Sequence, residues 1–245
     1  MLLRHRDPRG CCSTPATWPT PPTRSAATSW SSGPIIYGRF DQRVDSLITP
    51  PVGIFTRDPY PSNPDRRFVR GYLFNTYAQF PINFAHSLTS SNPDLWGQDL
   101  IDVLDEYAHW GLLASLGEVL PDPDNRVTLA TETDDNGIPV AHVTFSYGDN
   151  DRALIEAMRD DDAQVMDAAG ADRILFNNGN HHLLGTCRMG ADPDRSVIDP
   201  DCRSHDVHNL WICDGSVFPT VGAVNPSLTI QALATRTAHR LLGAR

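Results

Sequence analysis

The segment 180–190, NHHLLGTCRMG, concentrates side chains that could do chemistry. His181 and His182 can each exchange a proton near neutral pH or bind a metal ion, and Cys187 becomes a nucleophile when its thiol ionises. From this segment alone four interpretations are open. They are a metal site, a Cys/His nucleophile pair, a catalytic base, and a polar pair on an ordinary loop.

The spacing of these residues argues against the first two interpretations. Structural zinc sites usually draw on closely spaced pairs such as Cys-x-x-Cys, which the sequence lacks, although His205 and His208 supply a second histidine pair. Adjacent residues such as His181 and His182 tend to point in opposite directions along an extended chain. Nothing in the sequence marks Cys187 as activated. We therefore expect no metal, and we keep a hydrolase that uses Cys187 only as an alternative.

The composition excludes several classes of function. All 20 basic residues are arginine, so no lysine is present to form a Schiff base or to serve in a phosphate-binding loop. The formal net charge of -10 disfavours a nucleic-acid partner, because a phosphate-binding surface is basic. No apolar run approaches the roughly 18 residues of a membrane span. The cysteine pattern and the lack of a secretory signal lead us to expect a cytoplasmic protein.

Apolar periodicity predicts the elements that would position the reactive residues. Residues 98–116 have a helical pattern. Residues 127–147 have the alternation of a hairpin around the turn DDNG at 134–137. A helix should follow, capped by Asp149 or Asn150. Its buried stripe should consist of Leu154, Met158, Val165 and Ala169.

The C-terminal part has a different organisation. Residues 210–214 are typical of a short apolar strand that ends at Gly215. The next helix should run from Asn225-Pro226 to Gly243, because asparagine is a good N-cap and proline is favoured at the first helical position. Its buried stripe should consist of Ile230, Leu233, Ala234, Thr237 and Leu241.

The C-terminal motifs occur in a distinctive order. They are His182-x-x-Gly185-Thr186, then Ser196-Val-Ile-Asp199-Pro200, then Asn209-Leu-Trp-Ile-Cys-Asp214-Gly215-Ser216-Val-Phe-Pro-Thr220, and then Asn225-Pro226-Ser-Leu-Thr229-Ile. Over residues 176–242 the sequence strongly resembles the C-terminal signature of the glucose-methanol-choline (GMC) flavoprotein oxidoreductases. The run VNPSLTIQALA is most similar to the branch of that family that acts on pyranoses and sugar acids.

The resemblance implies a role for each matching residue. His182 matches the histidine that begins the family's His-x-x-Gly-Thr motif, which implies a catalytic base, with His181 as its neighbour. Asn225 matches a position beside the flavin where relatives have asparagine or a second histidine, so it is a second candidate catalytic residue. Asp214 and Gly215 match a strand-end pair that contacts FAD. The residues that match the helix start facing the flavin ring are Pro226, Ser227 and Thr229, which with Asn225 complete the expected FAD contacts.

The resemblance also implies the fold and the domains. The expected class is α/β (α+β), with part of an FAD-binding Rossmann-type domain packed on a substrate domain that contains an antiparallel sheet. Gly-x-Gly-x-x-Gly does not occur in the sequence, so we expect the N-terminal dinucleotide-binding βαβ unit to be missing. Residues 1–33 should be disordered or non-native. Residues 34–175 should be substrate-domain material, and residues 176–245 the C-terminal segment of the FAD domain.

The implied activity is the oxidation of a CH–OH group of an alcohol or sugar, with FAD as hydride acceptor. A base must take the hydroxyl proton as the hydride leaves carbon, which suits an imidazole. No residue indicates whether oxygen, a quinone or a cytochrome reoxidises the flavin. The alternative is an inactive fragment, or one half of a split protein that needs a separate FAD-binding partner chain.

Overall fold

The computed structural model describes residues 3–4, 29–45, 53, 55–61 and 63–243. They form two compact units. The sheet unit consists of residues 31–119 and 149–181, and the motif unit consists of the described residues among 1–30, 120–148 and 182–245. Most of the predicted segment 1–33 lies outside the described residues, and its last five residues, 29–33, lie in a strand.

A five-stranded sheet forms the centre of the sheet unit. Its strands, in spatial order, are β3 (Phe55–Thr56), β4 (Tyr72–Asn75), β5 (Trp110–Glu118), β2 (Ser29–Arg39) and β8 (Arg173–Leu184). Strand β5 pairs antiparallel with both β2 and β4. The mixed α/β class with an antiparallel sheet is therefore confirmed, whereas the Rossmann-type portion stays a prediction.

Strand β5 corrects the predicted helix over residues 98–116. Only the first part is helical, as α2 (Gln98–Asp105), and a 3-10 turn at Tyr107–His109 leads directly into the strand. Every residue of β5 is buried. A strand that is covered on both faces is a nearly continuous apolar run, and periodicity cannot distinguish such a run from a buried helix.

Helices α1 (Pro81–Ser91) and α2 cover one face of this sheet. Phe84 of α1 packs edge-on against Tyr37 of β2, with ring centroids 5.0 Å apart, and its ring lies 6.0 Å from that of Trp110. All three side chains are fully buried. This aromatic cluster fixes α1 on the sheet, because aromatic pairs add geometric preference to the area that they bury.

Helix α3 (Asp149–Ala168) covers the other face of the sheet. Two glycines allow its close approach. A Cβ on Gly117 would lie 2.9 Å from Met158 Cε, and a Cβ on Gly38 would lie 2.8 Å from Met166 Sδ. The methionine side chains therefore occupy space that any larger residue on β5 or β2 would fill.

The predicted stripe of α3 is only partly right. Leu154 and Met158 are buried, but Val165 is exposed and Ala169 lies beyond the end of the helix. The other buried positions are Asp151, Asp162 and Met166. Apolar periodicity considers only apolar residues, so it could not predict that Asp151 and Asp162 are buried. The predicted caps, Asp149 and Asn150, both lie inside the helix.

The predicted hairpin is confirmed in the motif unit. Strands β6 (Arg126–Thr133) and β7 (Pro139–Thr144) pair antiparallel. Gly137 N donates to Asp134 O over 2.9 Å, and Asp134 Oδ1 accepts from Asn136 N over 2.9 Å. Gly137 has a φ of +74°, a conformation that glycine adopts without strain. The predicted turn at residues 134–137 is thus confirmed.

The C-terminal elements are shorter than predicted. Strand β9 is only Leu210–Trp211 and pairs with β1 (Leu3–Arg4). Helix α4 runs over Ser227–Leu241, with Pro226 at the cap position, so the predicted N-cap Asn225 is one residue too early. Of its predicted stripe only Thr237 is buried; the other members, Ile230, Leu233 and Ala234, are half-buried, and Leu241 is exposed. None of the described helices is both long and apolar enough to cross a membrane.

Candidate active site

A backbone ladder joins two of the predicted motifs within the motif unit. Its bonds run from Gly185 N to Gly215 O (3.3 Å), from Cys187 N to Ser216 O (2.8 Å) and from Met189 N to Val217 O (2.8 Å). Segments 185–189 and 215–217 therefore run side by side although they are far apart in the sequence. The ladder brings the His182 motif next to the Asp214-Gly215 pair.

Gly215 lies at a tight junction between this ladder and helix α4. A Cβ at Gly215 would lie 2.6 Å from Leu184 Cδ2 and 3.4 Å from Ile230 Cδ1. Leu184 ends β8, and Ile230 lies in the first turn of α4. The predicted strand-end glycine is thus the point where the His182 strand and the start of α4 meet.

Asp214 caps the turn that carries Gly215. Its carboxylate accepts hydrogen bonds from Ser216 N (2.9 Å) and Ser216 Oγ (2.5 Å). Burial raises the pKa of Asp214 and the hydrogen bonds from Ser216 lower it, and the net pKa lies below the ordinary value. The carboxylate is ionised at neutral pH and fixes the turn, while its predicted contact with FAD stays a prediction.

His182 has an unusual backbone conformation. Its φ is +52°, and Gly185, three residues later, has a φ of +92°. A residue other than glycine in this region costs about 1 kcal/mol or more, and such residues are concentrated at functional sites. The half-buried His182 is therefore held in a strained turn at the end of β8.

The N-terminus of α4 is open. No side chain among the described residues caps it, and its first turn contains no acidic residue. The exposed residues around it are Val224, Asn225, Ser227, Leu228 and Thr229. Uncapped first-turn amides have no partner within the helix and carry partial positive charge. Asn225 makes no hydrogen bond to the described residues, so the structure places it beside the helix start without tying it to the ladder.

Sequence reasoning missed two polar residues of this region. Ser216 holds Asp214, and the Asp-x-Ser spacing of a local side-chain turn could have indicated it. His205 Nε2 lies 3.0 Å from Ser196 Oγ and 3.2 Å from Gly190 O, which fixes the loop after the ladder. No short-range signal predicts this second contact, because it depends on the tertiary fold.

The nucleophile interpretation of Cys187 finds no support in its surroundings. Burial raises the pKa of the Cys187 thiol, the hydrogen bond with Ser216 works against that rise, and the charge of Asp214 adds to it. The net pKa is raised, so the thiolate is less populated than in a free cysteine. Among the described residues, no group of three or more histidines, cysteines and acids is placed to hold a metal ion.

Comparison with known proteins identifies this region. Residues 121–234 match the family model described as GMC oxidoreductase. They include the hairpin, the ladder and the first part of α4. These residues form a GMC oxidoreductase C-terminal domain. The family resemblance expected from the motifs is therefore confirmed.

Individual relatives match over different lengths. The chain is 40% identical over 126 residues to 6'''-hydroxyparomomycin C oxidase from Streptomyces lividus, which is 49% of this chain and 23% of that protein. It is 33% identical over 195 residues to 2-methyl-1,2-propanediol dehydrogenase from Mycolicibacterium austroafricanum, covering 75% of this chain and 35% of that protein. The crystal structure of pyridoxine 4-oxidase from Mesorbium loti aligns with 89% of this chain and 44% of its own, at 14% identity and a TM-score of 0.45.

Proposed function

We propose that this chain supplies the catalytic base and the flavin-facing segment of an FAD-dependent oxidoreductase that acts on CH–OH groups of alcohols or sugars. GMC family members use FAD. The observation that supports the proposal is the ladder between segments 185–189 and 215–217, because it joins the motif of the candidate base to the motif of the cofactor contact. The chain spans 23% and 35% of the two relatives' lengths, so the activity of a whole enzyme is part of the proposal.

The residues present fit a flavin ring in two respects. The uncapped first turn of α4 offers amide donors and partial positive charge toward an electron-rich ring. Exposed apolar side chains flank it: Leu183 is 60% exposed and Leu228 is 78% exposed. FAD, when bound, would accept the hydride from the substrate carbon. Ser227, Thr229 and the backbone at Asp214-Gly215 would hold it.

His182 would act as the base that takes the hydroxyl proton. Imidazole is the side chain best suited to exchange a proton near neutral pH, and general base catalysis of this kind contributes roughly 10²–10⁴-fold to a rate. The backbone conformation of His182, with a φ of +52° at the end of β8, is of the strained kind that is concentrated at functional sites. Asn225 cannot titrate, but its amide can donate to the substrate oxygen and orient the same hydroxyl.

Within the alcohols and sugars, the proposal includes a preferred class of substrate. One relative is named for an oxidase of 6'''-hydroxyparomomycin C and the other for a dehydrogenase of 2-methyl-1,2-propanediol. The VNPSLTIQALA run resembles the pyranose branch. We propose a hydroxyl on a sugar ring or its side chain as the preferred substrate, with a small diol as the comparison compound.

A domain exchange tests the role of His182. Residues 121–234 would replace the matching segment of 2-methyl-1,2-propanediol dehydrogenase, and flavin reduction by the diol and by pyranoses would be followed without oxygen. We expect His182→Ala to slow reduction by roughly 10²-fold or more and His181→Ala to leave it near normal. Equal effects of the two variants would contradict the assignment of the base.

Flavin binding is a second measurement, which tests the proposal even if the chimera does not reduce its flavin. FAD would be titrated into the unaltered chain, and into chains with Thr229→Glu or Thr235→Glu. Thr229 lies in the first turn of α4 and Thr235 lies further along it, and both are exposed. A negative charge at the first turn should weaken flavin binding at least several-fold, whereas the same charge at Thr235 should not. Equal affinities would contradict a flavin-facing helix start.

The alternative, a chain that needs a separate FAD-binding partner, is supported by a different observation. The apolar side chains Leu183, Val224 and Leu228 are all more than half exposed. Contiguous exposed apolar surface marks interaction sites. The N-terminal FAD-binding part of the relative, added as a separate chain, should then form a complex that Leu228→Asp weakens by tenfold or more. A complex insensitive to Leu228→Asp, or none at all, would contradict this alternative.

A further inference from the structure

Helix α3 and the sheet bury a carboxylate between them. Asp162 lies on the buried stripe of α3 between Met158 and Met166, and its side chain is fully buried. Asp162 Oδ1 accepts a hydrogen bond of 2.7 Å from Ser115 Oγ on β5. Asp162 Oδ2 has no hydrogen-bond partner among the described residues. An ionised carboxylate with an unsatisfied oxygen is costly in such a place, whereas a protonated one is not.

The groups around Asp162 do not neutralise its charge. On α3 its neighbour is Asp161, which accepts a hydrogen bond from Tyr72 Oη of β4. The arginines of this region are engaged elsewhere: the Arg66 guanidinium lies 5.5 Å from the centre of the Tyr72 ring, and that of Arg159, on α3, lies 5.0 Å from the centre of the Phe176 ring. The residues of β2 and β5 that face α3 here carry no charge. They are Ile36 and Gly38 on β2, and Leu113, Ser115 and Gly117 on β5.

We propose that Asp162 makes the docking of α3 on the sheet pH-sensitive, holding the helix in place while its carboxyl is protonated and loosening it when the carboxyl ionises. The inference does not rest on the proposed function, since all of its residues lie in the sheet unit. Its physical basis is the position of Asp162 between Met158 and Met166, where methionine, leucine and glycine residues and Ser115 form the helix–sheet contact.

The direction of the effect follows from linkage. Burial raises the pKa of Asp162 to about 7, the hydrogen bond from Ser115 works against this rise, and the charge of Asp161 adds to it. When α3 opens, the carboxyl regains its ordinary pKa of about 4. Docking is therefore strongest below that ordinary value, weakens as pH rises toward 7, and changes little above it. Between these limits the opening equilibrium shifts by up to about tenfold for each pH unit.

Hydrogen–deuterium exchange of the whole chain tests the proposal. Protection of α3 and β5 amides, corrected for intrinsic exchange rates, should fall up to about 100-fold between about pH 5 and about pH 7. Asp162→Asn keeps the shape and the acceptor for Ser115 but cannot ionise. Its protection should not follow this pH dependence. Asp160→Asn, on the exposed side of α3, is the matched control and should behave as the unaltered chain does.

A direct titration keeps the proposal testable if Asp162→Asn does not fold. Carbon-13 resonances of the aspartate carboxyls in the unaltered chain would show one group that titrates near neutral pH. Ser115→Ala removes the hydrogen bond that favours the ionised form, so it should move that midpoint upward. The proposal is overturned if every aspartate titrates near the ordinary value, or if α3 protection has the same pH dependence in Asp162→Asn as in the unaltered chain.

Discussion

The sheet unit and the motif unit are each stabilised internally, but by different interactions. In the sheet unit, β5 is buried over its whole length, and helices pack on both faces of the sheet. In the motif unit one small apolar cluster lies behind the motifs, and Leu183 and Leu228 beside them are exposed. There the chain is positioned by a ladder, turns and residues with positive φ. The candidate active-site residues therefore depend on backbone geometry more than on side-chain packing.

The largest expected effect lies in the sheet unit. Trp110 is fully buried between helices and sheet, whereas Trp96 is 74% exposed. Trp110→Ala should lower the free energy of unfolding by about 3–5 kcal/mol, because it leaves a large cavity. Trp96→Ala should change it by less than about 0.5 kcal/mol. Denaturant unfolding followed by far-ultraviolet circular dichroism measures both, and similar losses for the two variants would show that the buried core is not the main source of stability.

In the motif unit the test concerns a single close contact. Gly215→Ala should cost about 1–3 kcal/mol, because its Cβ would press on Leu184 Cδ2, which lies at the mobile end of a side chain. Leu184→Val removes that atom. In a double-mutant cycle the two changes should be coupled by at least about 0.5 kcal/mol in the favourable direction. Simple additivity would mean that the two residues are not in contact.

A smaller and pH-dependent effect is expected at Asp214. Its pKa is lowered in the folded chain. Its contribution to the free energy of unfolding is therefore fully present above the ordinary pKa and is lost as pH falls through the lowered value. Asp214→Asn should cost about 1 kcal/mol at neutral pH, allowing for its partial exposure, and the loss should disappear in acid. Unfolding curves at several pH values test this. A loss that persists unchanged in acid would show that the charge on Asp214 does not stabilise the turn.

The sequence predicts some of these features and not others for definite physical reasons. The hairpin could be predicted because Asp134 and Gly137 close its turn through local bonds. Strand β5 could not, because burial on both faces removes the alternation that distinguishes strand from helix. The motifs of His182 and Gly215 could be named through the family resemblance. The ladder between them, the tight contact with Leu184 and the buried Asp162 depend on tertiary contacts that no local pattern contains.

The smallest expected effect separates strain from chemistry at His182. Asparagine tolerates positive φ better than alanine does, so His182→Asn should be more stable than His182→Ala by up to about 1 kcal/mol. His239, exposed within α4, is the matched control, and there the order should reverse because alanine is the better helix former. Thermal unfolding of the four variants measures both differences. If His182→Asn and His182→Ala are equally stable, the turn at the end of β8 does not hold this residue in a strained conformation. If asparagine is the more stable replacement at position 182 and alanine at position 239, the conformation of His182 costs local stability at the residue that we propose as the base. A loss of base activity in both His182 variants would then be due to the lost imidazole, because only one of them changes the backbone preference.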